Sequence, residues 1–278
     1  REGDEAVGGC AECAEDNESQ TRSEGLTAHG TRRTESTIGG RGPDEEDLIS
    51  AGDWAAYDGD VLRKGMADKR PEVGYVEGHD VTTQWGVFAI AGPKSRDVLA
   101  ALVRDADPAT VLGNKRFPWL SMREIELGMV PIRAIRVAYT GELGWELHHP
   151  IEMQNHLFDA LEKAGAPHGM KLVGARAQNW LRQEKSYRAF GHELGRAATP
   201  LEADLPRFVD LEKEFHGKQA MLDHGIRAKC VTLLIDGPED ADPWGREALY
   251  AGERRTGRLT SGGYSVAFGK SIGMGYVQ

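Results

Sequence analysis

The first sustained apolar pattern in the chain begins near Val81. In "QWGVFAIAG" the residues Val87, Phe88 and Ile90 form a short apolar run that Gly92 and Pro93 break, which predicts a buried strand. In "SRDVLAALV" the apolar positions Val98, Leu99, Leu102 and Val103 recur at helical spacing behind Ser95, a candidate N-cap. Residues 123–127 alternate, Gly128 supplies a turn and 129–139 continue extended, so the pattern predicts an antiparallel hairpin. Strand resumes at "WELHH". Pro150 then opens a helix with Met153, Leu157, Phe158 and Leu161 on one stripe and Gly165 past its end. A longer helix is predicted over 174–190, with Trp180, Leu181 and Tyr187 on its inner side. From about residue 228, "KCVTLLIDG", "GRLTS" and "IGMGYV" read as short strands joined by turns.

Residues 1–75 show no such period. The first 47 are polar, glycine-rich and almost free of branched or aromatic side chains, and read as disordered. "LISAGDWAAYDGDVLRKGMADK" offers a few apolar anchors, enough for one weak helix but not for a core. Charge divides at the same place. Residues 1–80 hold 20 acidic and 9 basic residues, and so carry the whole acidic excess of a chain whose net charge is −10. The expected organisation is therefore an irregular acidic segment over 1–75, a domain over 76–225, and a β-rich domain over 226–278.

Composition narrows the function classes. A chain of 278 residues can bury a real core. No apolar run approaches the roughly 18–20 residues of a membrane-spanning helix, so no membrane partner is expected. The acidic balance makes nucleic acid a poor partner. Only three cysteines, Cys10, Cys13 and Cys230, argue for a reducing compartment, the cytoplasm, over a disulfide framework.

Several short motifs invite chemistry and lose it on inspection. Cys10-x-x-Cys13 has no second pair and no strand–helix context. "GKS" at 269–271 lacks the glycine a phosphate loop needs five residues earlier, where Tyr264 stands, and reads as a hairpin glycine. His192-Glu193 would need a second histidine at 196, which is Arg196, so no metal site is expected. His148-His149 reads as surface polarity at a strand end. Neither a GxSxG elbow nor a dinucleotide GxGxxG occurs.

The turn "AYTGELGWELHHP" over 138–150 is different. In its extended tail Trp145 and Leu147 share one face while Glu146 takes the other. A carboxylate held by a strand, with Tyr139 nearby, suits a flat heterocycle that offers two parallel N–H donors. On spacing alone, the plainer reading of Glu142 and Glu146 as turn and surface carboxylates is favoured.

Six segments, in order, change the weighting: "FAIAGPKSRDVLAAL" (88–102), "RVAYTGELGWELHHP" (136–150), "NWLRQEKSYRAFGHEL" (179–194), "TPLEADL" (199–205), "FHGKQAM" (215–221) and "GRLTSGGYSVAFGKSIGMGYV" (257–277). Together they resemble the aminomethyltransferase family, meaning the glycine-cleavage T-protein and the folate-binding C-terminal parts of sarcosine and dimethylglycine dehydrogenases. The form "LRQEKSYRAFGHEL" is similar to the dehydrogenase branch. The resemblance implies an α+β fold of antiparallel sheets with packed helices, arranged in three lobes and followed by a partial C-terminal β-barrel. It implies tetrahydrofolate in a central cavity, with the pterin held by Tyr139 and Glu146. The implied reaction is transfer of a one-carbon unit from an amine donor of the glycine, sarcosine or dimethylglycine type onto folate N5. FAD enters only through a flavin domain on a longer chain or a partner dehydrogenase subunit.

Departures from the family pattern bear on activity. The family's catalytic aspartate belongs to an N-terminal third that is not recognisable here. Asp44, Asp47, Asp53, Asp58 and Asp60 are candidates only as aspartates, and the catalytic residue is unassigned. The family's folate-binding arginine falls at Gln178, with Arg176 pointing to another side of the helix. The end of the barrel is also expected to be missing, as a fragment would leave it, and a shifted reading frame would account for the start. Two alternatives follow: a folate-binding module without transferase activity, and a folate-dependent demethylase of the same family.

Overall fold

The computed structural model describes residues 20–26, 32–42, 45–105, 107–237 and 241–278. Three antiparallel strands come first, β1 (Gln20–Leu26), β2 (Arg32–Gly42) and β3 (Glu45–Ser50), paired in that order. Helix α1 (Ala55–Val73) follows. Regular structure therefore starts earlier than the sequence pattern implies: strands and a helix occupy much of the segment read as irregular. Cys10 and Cys13 lie outside the described residues.

This first part is tied to the rest by polar and aromatic contacts more than by apolar area. Trp54 meets the Phe190 ring edge-on at 5.4 Å. Arg196 Nη2 donates to Tyr57 Oη at 3.0 Å. Arg133 Nη1 donates to both Asp47 oxygens at 3.1 Å. Helix α1 answers to the one weak helix that the apolar anchors of 48–69 suggest, whereas contacts of this polar kind leave no apolar period along β3, which hydropathy missed.

The second sheet is built from β4 (Trp85–Ala91), β5 (Met122–Leu127), β6 (Val130–Ile135) and β7 (Gly144–Pro150), in the order β4-β7-β6-β5 and antiparallel throughout. The hairpin between β5 and β6 turns at Gly128, whose φ of +61° suits glycine. Helices α2 (Ser95–Ala100), α3 (Pro108–Val111) and α4 (Gln154–Gly165) follow β4, precede β5 and follow β7 respectively. One face of the sheet carries Ile90, Leu127, Ile132, Ala134, Trp145 and Leu147, and packs on Val98 and Leu99 of α2 and Leu157 and Leu161 of α4. That is the main core.

Ser95 is not an N-cap. It is the first residue of α2, and its Oγ donates to the carbonyls of Gly92 at 2.7 Å and Leu143 at 2.9 Å. The hydroxyl thereby stitches the turn after β4 to the turn before β7. The "HH" pair is not surface polarity either: both imidazoles are buried. His149 stacks on Phe88 at 4.8 Å with its Nδ1 2.9 Å from Leu147 O. Gly86 leaves the room for it, since a Cβ there would sit 2.7 Å from His149 Nε2.

Helix α5 (Ala175–Glu184) ends six residues before the sequence reading has it. Ser186 adopts φ +56°, and the Tyr187 amide turns back to Arg182 O at 2.9 Å. Its buried side chains are Arg182 and Gln183, not an apolar stripe. Helix α6 (Lys218–His224) leads into the last sheet, β8 (Lys229–Ile235), β9 (Ala248–Ala251), β10 (Arg254–Ser265) and β11 (Lys270–Val277), ordered β8-β11-β10-β9. Gly269, with φ +62°, closes the β10–β11 hairpin. Among the described residues, no helix is long and apolar enough to cross a membrane.

Candidate functional site

Strand β7 does two jobs because its side chains alternate. Trp145 and Leu147 enter the core on one face. Glu146 and His148 take the other, opposite Ile135 and Arg133 of β6 and Ala89 and Val87 of β4. Glu146 remains 36% exposed at its side chain, and His148 Nε2 lies 3.4 Å from its Oε2. That nitrogen makes no hydrogen bond, so the contact is one of proximity and the carboxylate keeps its acceptor capacity.

The turn that feeds β7 is fixed by two glycines. Gly141 has φ +74°, and a Cβ on it would fall 2.2 Å from the Lys185 side chain. Gly144 packs on β4, where a Cβ would meet Ile90 O at 2.6 Å. Glu142, between them, is exposed. Tyr139 is half-buried beside the segment after α5, its hydroxyl 3.4 Å from Arg188 O. The turn thus places Tyr139 against the chain after α5, and the strand places Glu146 on the polar sheet face.

Below Glu146 the same face is charged. Arg133 Cζ lies 4.1 Å from the Trp85 ring centroid, and the guanidinium is shared between Asp47 at 3.1 Å and Glu124 at 3.7 Å. Asp60 pairs with Lys64 at 2.7 Å and Asp58 is buried on α1, while Asp44 lies outside the described residues. A groove of about 590 Å³ runs along β5 and β6 past Trp85, Arg104 and Arg116, and neither Tyr139 nor Glu146 lines it.

A buried polar cluster joins α5 to the last sheet, and apolar periodicity gave no sign of it. Arg182 and Glu193, both fully buried, pair at 2.6 Å. Arg182 Nη2 donates to Ser261 Oγ at 2.5 Å, and Ser261 and Thr260 hydroxyls donate to Glu193 Oε1 at 2.6 and 2.7 Å. The Ala189 amide donates to Glu193 Oε2 at 3.0 Å, and Tyr276 Oη donates to Glu193 O at 2.7 Å. Burial alone would raise the Glu193 carboxyl. Arg182, the two hydroxyls and the Ala189 amide outweigh it and hold the group below the usual carboxylate range.

On the exposed side of α5, Gln178 faces solvent. Arg176 Cζ sits 5.1 Å from the Trp180 ring and 4.8 Å from that of Trp244. Burial pushes the Cys230 thiol up to about 11, which keeps it protonated and unreactive at neutral pH.

This fold recurs among known proteins. The GCVT N-terminal domain matches residues 22–213, and the glycine cleavage T-protein C-terminal barrel domain matches 229–278. Human mitochondrial dimethylglycine dehydrogenase is 36% identical over 262 residues, which cover 91% of this chain and 29% of that protein. An aminomethyltransferase of Thermus thermophilus is 34% identical over 203 residues, 73% of this chain and 54% of the relative. Among solved structures, the glycine cleavage system aminomethyltransferase T of Bartonella henselae has a TM-score of 0.75 at 24% identity, covering 94% of this chain and 68% of that one. The chain spans about three tenths of the length of the dimethylglycine dehydrogenases it matches.

Proposed function

Because the chain belongs to the glycine cleavage T-protein (GCVT) family, we propose that it is a tetrahydrofolate-dependent domain that passes a one-carbon unit from a methylated amine or glycine-type donor to folate. The observation that carries this reading is Glu146: a half-buried carboxylate on a rigid strand, with spare acceptor capacity and a neighbouring imidazole. Bound tetrahydrofolate would supply the nucleophilic nitrogen that accepts the carbon unit. Glu146 would accept two parallel hydrogen bonds from the pterin ring N–H and amino group, and a charged acceptor makes such a pair strong and directional. Tyr139 would offer its ring as a packing face. His148, 3.4 Å from Glu146 Oε2, would compete with the pterin for the carboxylate when protonated.

The names of the relatives, dimethylglycine and sarcosine dehydrogenases and aminomethyltransferases, support a donor of this kind. They also support a longer assembly in which an FAD-containing dehydrogenase domain or subunit produces the unit that this domain collects. Those two dehydrogenases are named as mitochondrial proteins.

A folate-binding module without transferase activity is the second reading. It is favoured by the aspartates near the start of the described chain: Asp47 is engaged by Arg133 and Asp60 by Lys64. Titration with tetrahydrofolate, followed by tryptophan fluorescence, tests the shared premise. Binding that Glu146→Gln weakens and Glu142→Gln does not supports it, and no binding at millimolar folate sinks both readings. Formation of methylenetetrahydrofolate from a methylamine donor plus its dehydrogenase then separates transferase from module.

A further inference from the structure

On the sheet face opposite Glu146, two arginines converge on one tryptophan, and among the described residues neither is paired with a carboxylate. Trp145 is fully buried. Arg96, in the first turn of α2, and Arg136, just after β6, hold their Cζ atoms 5.8 and 6.0 Å from its ring centroid. Each guanidinium is braced by a neutral acceptor. Arg96 Nη2 donates to Asn114 Oδ1 at 2.6 Å, and Arg136 Nη1 donates to Phe117 O at 2.6 Å.

Among the described residues no carboxylate pairs with either arginine, although Arg133, Arg182 and Arg188 all meet one. Arg96 Nε is buried and makes no hydrogen bond. Burial first, and then the nearby Arg96, lower the proton affinity of Arg136. Lys94 and Lys115, near these groups along the chain, are exposed, as is Asp97 next to Arg96. Two half-buried like charges oppose folding unless something negative comes between them.

We infer that Arg96 and Arg136 form a binding site for an oxyanion, a carboxylate or phosphate group taken up by their in-plane guanidinium donors. The site is distinct from the pterin position proposed above. Trp145 and Glu146 are consecutive on β7 and so project to opposite faces of the sheet. The ligand is thus a second anionic group, bound on the helix-bearing side and independent of the folate reading.

The test uses the full 278-residue chain at low ionic strength. Its melting temperature is followed during titration with inorganic phosphate or succinate, against sodium chloride at matched ionic strength. One of the two oxyanions should raise Tm by about 3 °C at ten times its Kd, with no such rise in chloride. Tighter binding of phosphate identifies a phosphate ester as the natural group, and tighter binding of succinate a carboxylate. Arg96→Gln should abolish the shift. Arg96→Lys, which keeps the charge and loses the planar fork, should weaken binding about tenfold and serves as the folded comparison. An equal rise in chloride, or a shift that survives Arg96→Gln or is undiminished in Arg96→Lys, overturns the proposal.

Discussion

Glu193 and Glu146 are glutamates with opposite surroundings. Glu193 is sealed between α5 and the last sheet, with Arg182, Thr260, Ser261 and the Ala189 amide all donating to it. Glu146 stands on an open sheet face with one imidazole beside it and no aligned donor. The first carboxylate has nothing left to offer a ligand, whereas the second has most of its capacity free. Completeness of hydrogen bonding thus separates a group that holds the fold together from one available for binding, where residue type and spacing could not.

Substitutions should pull the two apart. Arg182→Met should have the largest effect, destabilising the chain by about 3–5 kcal/mol through the unpaired buried carboxylate it leaves, as read by the urea midpoint. Next comes pH. Glu193 binds its proton more weakly in the folded state than in the unfolded chain, so its contribution is complete above the ordinary carboxylate pKa of 4.5 and drains away as pH falls below it. A stability profile from pH 7 to 3 should therefore fall in acid, and fall less steeply in Glu193→Gln.

Glu146→Gln should reverse the pattern. Stability should move by no more than about 0.5 kcal/mol, while tetrahydrofolate affinity drops roughly 10–100-fold, read by fluorescence titration. If the two readouts move together, the separation drawn here fails. The smallest effect is expected at the contact between α1 and the segment after α5. Tyr57→Phe removes the hydrogen bond from Arg196 and should cost about 0.5–1 kcal/mol, checked by thermal melting.

Much of the second and third sheets was legible because their strands and helices bury one apolar face. Val87–Ile90, Met153–Leu161 and the 229–277 strands announce themselves that way. The turn at 138–150 was legible too, since Gly141 and Gly144 sit where a side chain cannot. What escaped was held by polar groups. Arg182 and Glu193 gave no sign of burial, because a charge buried against its partner looks in sequence like a charge in water. His148 and His149 passed as surface residues because an imidazole covered by its neighbours, as His149 is by Phe88, still reads as polar in sequence. The strands before residue 51 were missed, and the helix after them read only as weak, because their visible anchors, Asp47 to Arg133 and Tyr57 to Arg196, are side chains no hydropathy pattern reports.

The seam around Arg182 also sets an order in time. Its guanidinium is translated 79 residues before Ser261, the hydroxyl that helps to close the pair. At 5–20 residues per second the ribosome takes roughly 4–16 s to cover that stretch. During the interval α5 carries an arginine, and the following loop a glutamate, that have each other but no lid. The last sheet is then less a separate module than a closing piece. A chain that lacks the last sheet would leave that ion pair, and the apolar surface around it, uncovered.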